Sequence, residues 1–430
     1  MSASSWPEAR VPAVAVADVS APASSVRWSA ATRIAFRFFF VYFGIYNLRA
    51  VLDVFPYAVY QSVGWALFGV SADVLPNGSG DTTFNYVQVF VFAAFAALAT
   101  VVWSILDRRR LAYPVLFGWF LTYVRFSLAA AMIGYGVAKV MKLQFGNLLL
   151  DRLMQPFGSA SPMGLLWTFM SFSVAYNVFT GAAEMLGGIL LTARRTALLG
   201  AMVTAGVMVN VVMLNFTYDV PVKLYSSHLL LMALVIAAPD ALRLAKLFVL
   251  NHPVPPAVLR PAFRRRRVDV GVRIVRTLAV IAFVASNVYY SVQSKAEWNK
   301  IPLEKAPFYG VWNIDVLREN GVERPPLTTD RTRMRRLIVS SHRIATFERM
   351  DDHRQRYMIA KDASTITFKR SSPPLSEGKF TYRQPDPSTL ILTGTLDGRQ
   401  IEATLRKAPL PEHLLTTRGF HWINEYPYNR

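Results

Sequence analysis

The sequence predicts an α-helical polytopic membrane bundle of about seven spans, followed by a C-terminal antiparallel β-barrel or sandwich. Three observations carry that prediction. Of 430 residues, 53% are hydrophobic and the mean hydropathy is +0.28, a mixture of membrane and soluble composition. Long apolar blocks recur up to residue 290, with short arginine clusters beside them: DRRR at 107–110, ARRT at 193–196 and RRRR at 264–267. From Lys295 onward the blocks shorten and alternate with polar residues at strand-like spacing.

Much of the net charge of +20 lies in short arginine runs beside apolar segments, the pattern of cytoplasmic loops and not of a nucleic-acid surface. Cysteine is absent, which excludes disulfides, thiol catalysis and cysteine-ligated metal centres. Residues 1–28, rich in Ala, Ser, Pro and Val, read as a disordered cytoplasmic tail; they lack the basic start and clean apolar core of a signal peptide.

Span one covers 31–48, with Arg33 and Arg37 early, expected to snorkel to the cytoplasmic interface, and Tyr42 and Tyr46 at the far one. Residues 56–75 are apolar but interrupted by two glycines, which predicts an interfacial or re-entrant piece. Spans two and three cover 84–106 and 115–140. An outer loop containing DRLMQPFGSASPMGLLWTF separates them from span four at 172–191. Spans five and six cover 197–216 and 224–238, making 29–250 one transmembrane unit. A Pro/Arg-rich cytoplasmic linker, 251–270, precedes the last span, within 271–293. With seven spans the arginine clusters share one side, so the N-terminus is cytoplasmic and residues 294–430 form an extracytoplasmic β domain.

The stretch 121–145, LTYVRFSLAAAMIGYGVAKVMKLQF, is long enough to cross a bilayer yet carries Arg125 and Lys139. At helical spacing both share a face with Met132, and Tyr135 lies beside them. A charge near the bilayer centre costs at least about 2.5–3.5 kcal/mol, so such a face meets a partner or a polar cavity. In span four, Asn177, Gly181, Glu184 and Gly188 share a face whose glycines allow a neighbouring backbone close. Glu184 is expected to pair with Arg125. A second polar set, Lys139, Gln144, Tyr218, Asp219, Lys223 and His228, falls near the outer face and suits a quinone, a lipid headgroup or a small anion. The bland readings are a structural ion pair and a loop salt bridge. No catalytic motif, phosphate-binding glycine loop or metal-ligand spacing accompanies these residues.

The segments GYGVAKVMKLQF and AEMLGGILL, followed by ARRTALLGA, resemble the core of the DoxX-like integral membrane proteins. The segments GSGDTTFNYV, SPMGLLWTFM and NFTYDVPVK resemble a longer bacterial branch of that family, over roughly residues 32–250. The resemblance implies a small helical protein of the bacterial cytoplasmic membrane. Some members are linked to quinone-coupled oxidation, including subunits of thiosulfate:quinone oxidoreductase. It points to Tyr135, Lys139 and Glu184, with Asp81, Asp219 and Lys223 from the longer branch. The function it implies is a component that binds a quinone or related lipid, at most a quinone-linked oxidoreductase subunit working with a redox partner. The rival readings are a lipid or small-molecule binding or transfer protein, with the barrel receiving what the bundle delivers, and an assembly scaffold whose outer domain holds partners.

In the outer domain the expected strands are 311–317, 334–340, 344–350, 356–360, 365–369, 379–384, 389–395 and 399–406. LDGRQ at 396–400 predicts a type I′ hairpin. The Gly-x-Trp in PFYGVWNIDV resembles the first strand of a lipocalin-like barrel. The arginine-rich stretch 329–336 reads as a solvated strand edge or a contact for anionic headgroups. The close, RGFHWINEYPYNR at 418–430, offers His421 and Glu425 as a secondary pair. It reads otherwise as a strand and tail that plug the barrel or dock it on the membrane.

Overall fold

A computed structural model describes residues 27–49, 52–75, 77–255, 266–370 and 375–429. Most of the expected N-terminal tail, and part of the linker with Arg264 and Arg265, lie outside the described residues. Helices α1 (Ala30–Leu48), α2 (Tyr57–Phe68), α3 (Thr83–Leu106) and α4 (Pro114–Val140) come first. Next are α5 (Leu150–Leu153), α6 (Pro162–Phe172), α7 (Val174–Thr192), α8 (Ala197–Thr217), α9 (Lys223–Ala237), α10 (Ala241–Phe248) and α11 (Arg266–Trp298). Local chemistry sets several starts. Ser29, Ser161 and Ser173 each accept a backbone N–H at the first turn of α1, α6 and α7, and Pro114 and Pro162 stand where a missing N–H costs nothing.

Among the described residues five helical stretches are long and apolar enough to cross a membrane: Thr83–Leu106, Pro114–Val140, Val174–Thr192, Ala197–Thr217 and Lys223–Phe248. At 12 residues α2 is about 18 Å long, too short for a core of about 30 Å. Helix α11 is 33 residues long and buries only Asp269, leaving its apolar surface uncovered by protein. The stretch 162–172, expected as loop, is helical because Ser161-Pro162 supplies a cap and first turn ahead of an apolar run.

The described chain forms two compact units. One holds residues up to Phe68 together with Val87–Thr122. In it Arg33 donates to the Arg110 carbonyl at 3.0 Å. Arg37, expected to snorkel, is instead 4% exposed. It donates to Ser104 Oγ at 2.8 Å and to the Tyr113 hydroxyl at 2.6 Å, and that hydroxyl donates to Asp107 Oδ2 at 2.9 Å. A guanidinium with this many acceptors nearby has no reason to reach for water.

The other unit holds residues 69–86 and everything from Tyr123 onward. Its helices are organised by a close crossing of α4 and α7. A Cβ on Gly181 would stand 2.7 Å from the Gly136 carbonyl oxygen and 2.8 Å from Lys139 Cβ. One on Gly136 would stand 2.6 Å from the Gly181 oxygen. Two backbones meet there, and only glycine admits it. Gly181→Ala is expected to cost about 1–3 kcal/mol. Gly206→Ala, on α8 with nothing within 4 Å of the new Cβ, is expected to cost nothing. Thermal unfolding in detergent, followed by circular dichroism, separates the two; equal midpoints would remove the crossing from the account.

The C-terminal part of this unit is a closed antiparallel barrel. Its strands are β1 (Gly310–Glu319), β2 (Val322–Glu323), β3 (Met334–Ser341), β4 (Ile344–Arg349), β5 (Arg354–Lys361), β6 (Thr365–Arg370), β7 (Ser376–Asp386), β8 (Thr389–Leu396) and β9 (Arg399–Ala408). Eight strands run in sequence order around the barrel, β1 pairs with β9 to close it, and β2 extends β1 as a short hairpin. Asp397 and Gly398 have φ of 51° and 77°, the geometry a type I′ turn requires. Inward side chains, among them Trp312, Phe347, Tyr357, Phe368 and Phe380, fill the interior as one hydrophobic cluster.

The α4–α6 connection is fastened to the barrel. Leu150 of α5 is buried against Val311 and Ile338. Asp151, 5% exposed, takes Arg356 Nε at 2.9 Å, and its carbonyl accepts from Arg354 at 2.5 Å. The arginine-rich stretch is solvated only in part: Arg331 is exposed, but the arginines after it find partners within the barrel. Arg333 is buried and donates to the carbonyls of Arg324 and Ile314, while Arg335 and Arg336 pair with Glu348. The tail differs from expectation too. Residues 418–429 contain no strand, and Phe420, Trp422, Ile423 and Tyr426 are exposed instead of plugging the barrel.

Candidate functional site

Beside the α4–α7 crossing lies a cavity of about 390 Å³. Met132, Tyr135 and Lys139 reach it from the last two turns of α4, spaced three and four apart on one face. Helix α7 adds Tyr176, Phe179, Thr180, Ala183 and Glu184, and α6 adds Leu166, Trp167 and Met170. Helices α8 and α9 complete the wall with residues that include Met208, Asn215, Tyr225, Ser226 and Leu229. The lining is apolar and aromatic with a few polar groups, the usual make-up of a small-molecule site.

One buried ion pair dominates its chemistry. Lys139 Nζ donates to Glu184 Oε1, and the two side chains are 8% and 3% exposed. The pair stands one turn beyond the glycine crossing on each helix, so the close approach of the backbones brings the two groups together. Glu184 Oε2 is buried and has no hydrogen-bond partner, and the same is true of Gln144 Oε1. Asn215 is otherwise engaged, donating to Ser226 Oγ at 3.0 Å. The turn after α4 is held in place by Lys142, which donates to the Ser171 carbonyl at 2.9 Å, and by Ser171, which donates to the Phe145 carbonyl at 2.8 Å.

Of the expected site residues, Tyr135, Lys139, Glu184 and Gln144 come together here. Arg125 does not. It lies two full heptad steps before Lys139 on α4, outside the lining, with its guanidinium 5.3 Å from the Phe126 ring and a buried Nε that lacks a partner. The expected Arg125–Glu184 pair is therefore replaced by Lys139–Glu184. The same face carries both cations, and the depth of the glycine crossing selects the second.

The expected outer rim does other work. Asp81 Oδ2 and Oδ1 accept the backbone N–H groups of Lys223 and Leu224 at 2.7 and 2.9 Å, capping α9 from a distant loop. Lys223 Nζ pairs with the exposed Asp219 at 2.8 Å, and His228 Nδ1 lies 2.6 Å from the Leu224 carbonyl oxygen of its own helix. Asp219, Lys223 and His228 are all absent from the cavity lining; Val220, Val222, Tyr225 and Ser226 take that place. His421 and Glu425 sit in the exposed tail, and they belong to no group of three or more metal-ligating side chains among the described residues. The aromatic wall from α6 and α7 was not anticipated; its signal was the apolar run after Ser161-Pro162.

These features define a helical protein of membrane type with a ligand-sized cavity beside a buried ion pair, joined to a packed β-barrel. The chain is 33% identical over 126 residues to an uncharacterized protein, YwoB of Bacillus subtilis (strain 168), a match spanning 29% of this chain and 79% of YwoB. It belongs to the same family as YwoB. No family model matches the chain, and no solved structure matches it.

Proposed function

We propose that the protein is a DoxX-like multi-pass component of the bacterial cytoplasmic membrane whose helical cavity binds a quinone or related lipid. The observation that carries this reading is the combination at one place of a cavity of about 390 Å³, an aromatic wall and a single buried Lys139–Glu184 pair. An amphipathic ring system fills such a wall, and the pair offers it a polar anchor. Seven spans follow if α1 and the uncovered α11 cross alongside the five helical stretches of sufficient length and apolarity; the N-terminus is then cytoplasmic and the barrel extracytoplasmic. Any electron transfer would run through a partner subunit.

The barrel fits beside this reading as a domain that holds partners. Eight up-and-down strands with Gly310-Val311-Trp312 on the first favour a lipocalin-like fold. Its interior is filled by its own side chains, so it is read as an interaction domain and not as a receiver of ligand.

The test fills the cavity without touching the ion pair. Gly206 lines it and has open space at its Cβ position; Gly118 has the same open space outside the lining. Mass spectrometry of the wild-type protein after gentle detergent purification is expected to find near-stoichiometric quinone or lipid. Gly206→Phe is expected to lower that occupancy at least about fivefold, an occluding side chain being worth more than 1 kcal/mol of lost contact. Gly118→Phe is expected to leave it unchanged. Retention unaffected by Gly206→Phe would exclude the cavity as the binding place.

A further inference from the structure

Resting on that reading of the cavity, we infer that its occupant presents an uncharged, hydrogen-donating head to Glu184 and Gln144, as a hydroxylated aromatic ring does. The argument is an inventory of what the wall leaves unpaired. Lys139 already spends a donor on Glu184 Oε1, and Asn215 spends its amide on Ser226. The atoms left buried and without partners are two acceptors, Glu184 Oε2 and Gln144 Oε1. They come from different elements, α7 and the turn after α4, and both residues line the same cavity. Buried polar groups are nearly always satisfied, so two orphaned acceptors at one cavity mark where a ligand donates.

A carbonyl-only head brings further acceptors and would leave both atoms unpaired. A hydroxyl donates its one hydrogen to one of them, and a dihydroxylated ring carries a second for the other. An ammonium head also donates, but the Lys139 charge beside Glu184 already neutralises that carboxylate and opposes a second cation. A site built to meet a hydroxyl discriminates strongly against an analogue that lacks it.

Equilibrium binding to the full-length protein in detergent, under anaerobic conditions, tests this with four probes of matched tail: a decyl-hydroquinone, its dimethyl ether, the corresponding quinone and decylamine. The hydroquinone is expected to bind at least about tenfold more tightly than the ether, the quinone or the amine, one lost hydrogen bond being of that order. Gln144→Leu, which removes one acceptor at a turn and leaves the ion pair intact, is expected to narrow the gap between hydroquinone and ether by several-fold. Equal binding of hydroquinone and ether overturns the donor inference while the cavity remains a binding site. Tightest binding of the amine reassigns the head to a cationic lipid and likewise overturns it. If no probe binds, the cavity reading itself falls and takes this inference with it.

Discussion

Lys139→Ala is expected to destabilise the helical unit by about 3–5 kcal/mol, the cost of leaving one member of a buried pair without its partner. The loss falls on Glu184, which is 3% exposed, loses the hydrogen bond from Lys139 to Oε1 and has no partner at Oε2. In a membrane-type interior no water replaces the ammonium. Thermal unfolding in detergent is expected to show the drop, and Glu184→Ala a similar one from the lysine side. The double variant Lys139→Met with Glu184→Met decides what the pair is for. Two apolar side chains of similar length remove both charges at once, so most of the stability is expected to return. Ligand retention is expected to stay lost, because the polar anchor is gone. A double variant as unstable as either single one would mean that the pair itself fixes the α4–α7 packing. One that recovers both stability and ligand would leave the charges without a part in binding.

The face of α7 could be read from the sequence because Asn177, Gly181, Glu184 and Gly188 repeat at helical spacing, and all four are buried. The partner of Glu184 could not. Arg125 and Lys139 share one face of α4, so periodicity makes them equivalent; the Gly136–Gly181 contact sets the depth that separates them. Five of the eight barrel strands, β5 to β9, rest on plain alternation of inward apolar residues, as in the buried-exposed pattern of β7. The tiny β2 escaped that pattern, although Asn320-Gly321, with φ of 52° and 80°, carried the hairpin signal. Asp151 had no local signal whatever. Its partner Arg356 lies 205 residues away, and a lone acidic residue in a loop reads as solvated. The same blindness hides the burial of Arg333 and the pairing of Arg335 and Arg336 with Glu348, because both depend on acceptors that only the closed barrel brings near.

Glu348→Ala is expected to cost the barrel about 3–5 kcal/mol, since it strips the shared partner from three arginines. Glu348 is fully buried on β4; Arg335 donates to Oε1, Arg336 stands 2.6 Å from the same oxygen, and Arg354 donates to Oε2 at 2.6 Å. Burial pushes this carboxyl up, but the hydrogen bonds from Arg335 and Arg336 and the charges of Arg336 and Arg354 outweigh it. The group therefore lies below its ordinary value of 4.5. The sign follows from linkage. A depressed carboxyl adds stability that is complete above its unfolded value and disappears as the pH falls through the folded one. Wild-type barrel stability is thus expected to decline below about pH 4.5, whereas Glu348→Gln starts lower at pH 7 and varies less on acidification. Arg354 also donates to the carbonyls of Asp151 and Met154, so the loss is expected to spread to α5. Hydrogen exchange of the full chain reads both effects at once. Peptides from β3 to β5 are expected to exchange faster in Glu348→Ala, and so is the peptide over 150–154. If the strands loosen while that peptide stays protected, Leu150 and Arg356 hold the loop without Arg354; if neither changes, the three arginines are anchored by water and backbone alone.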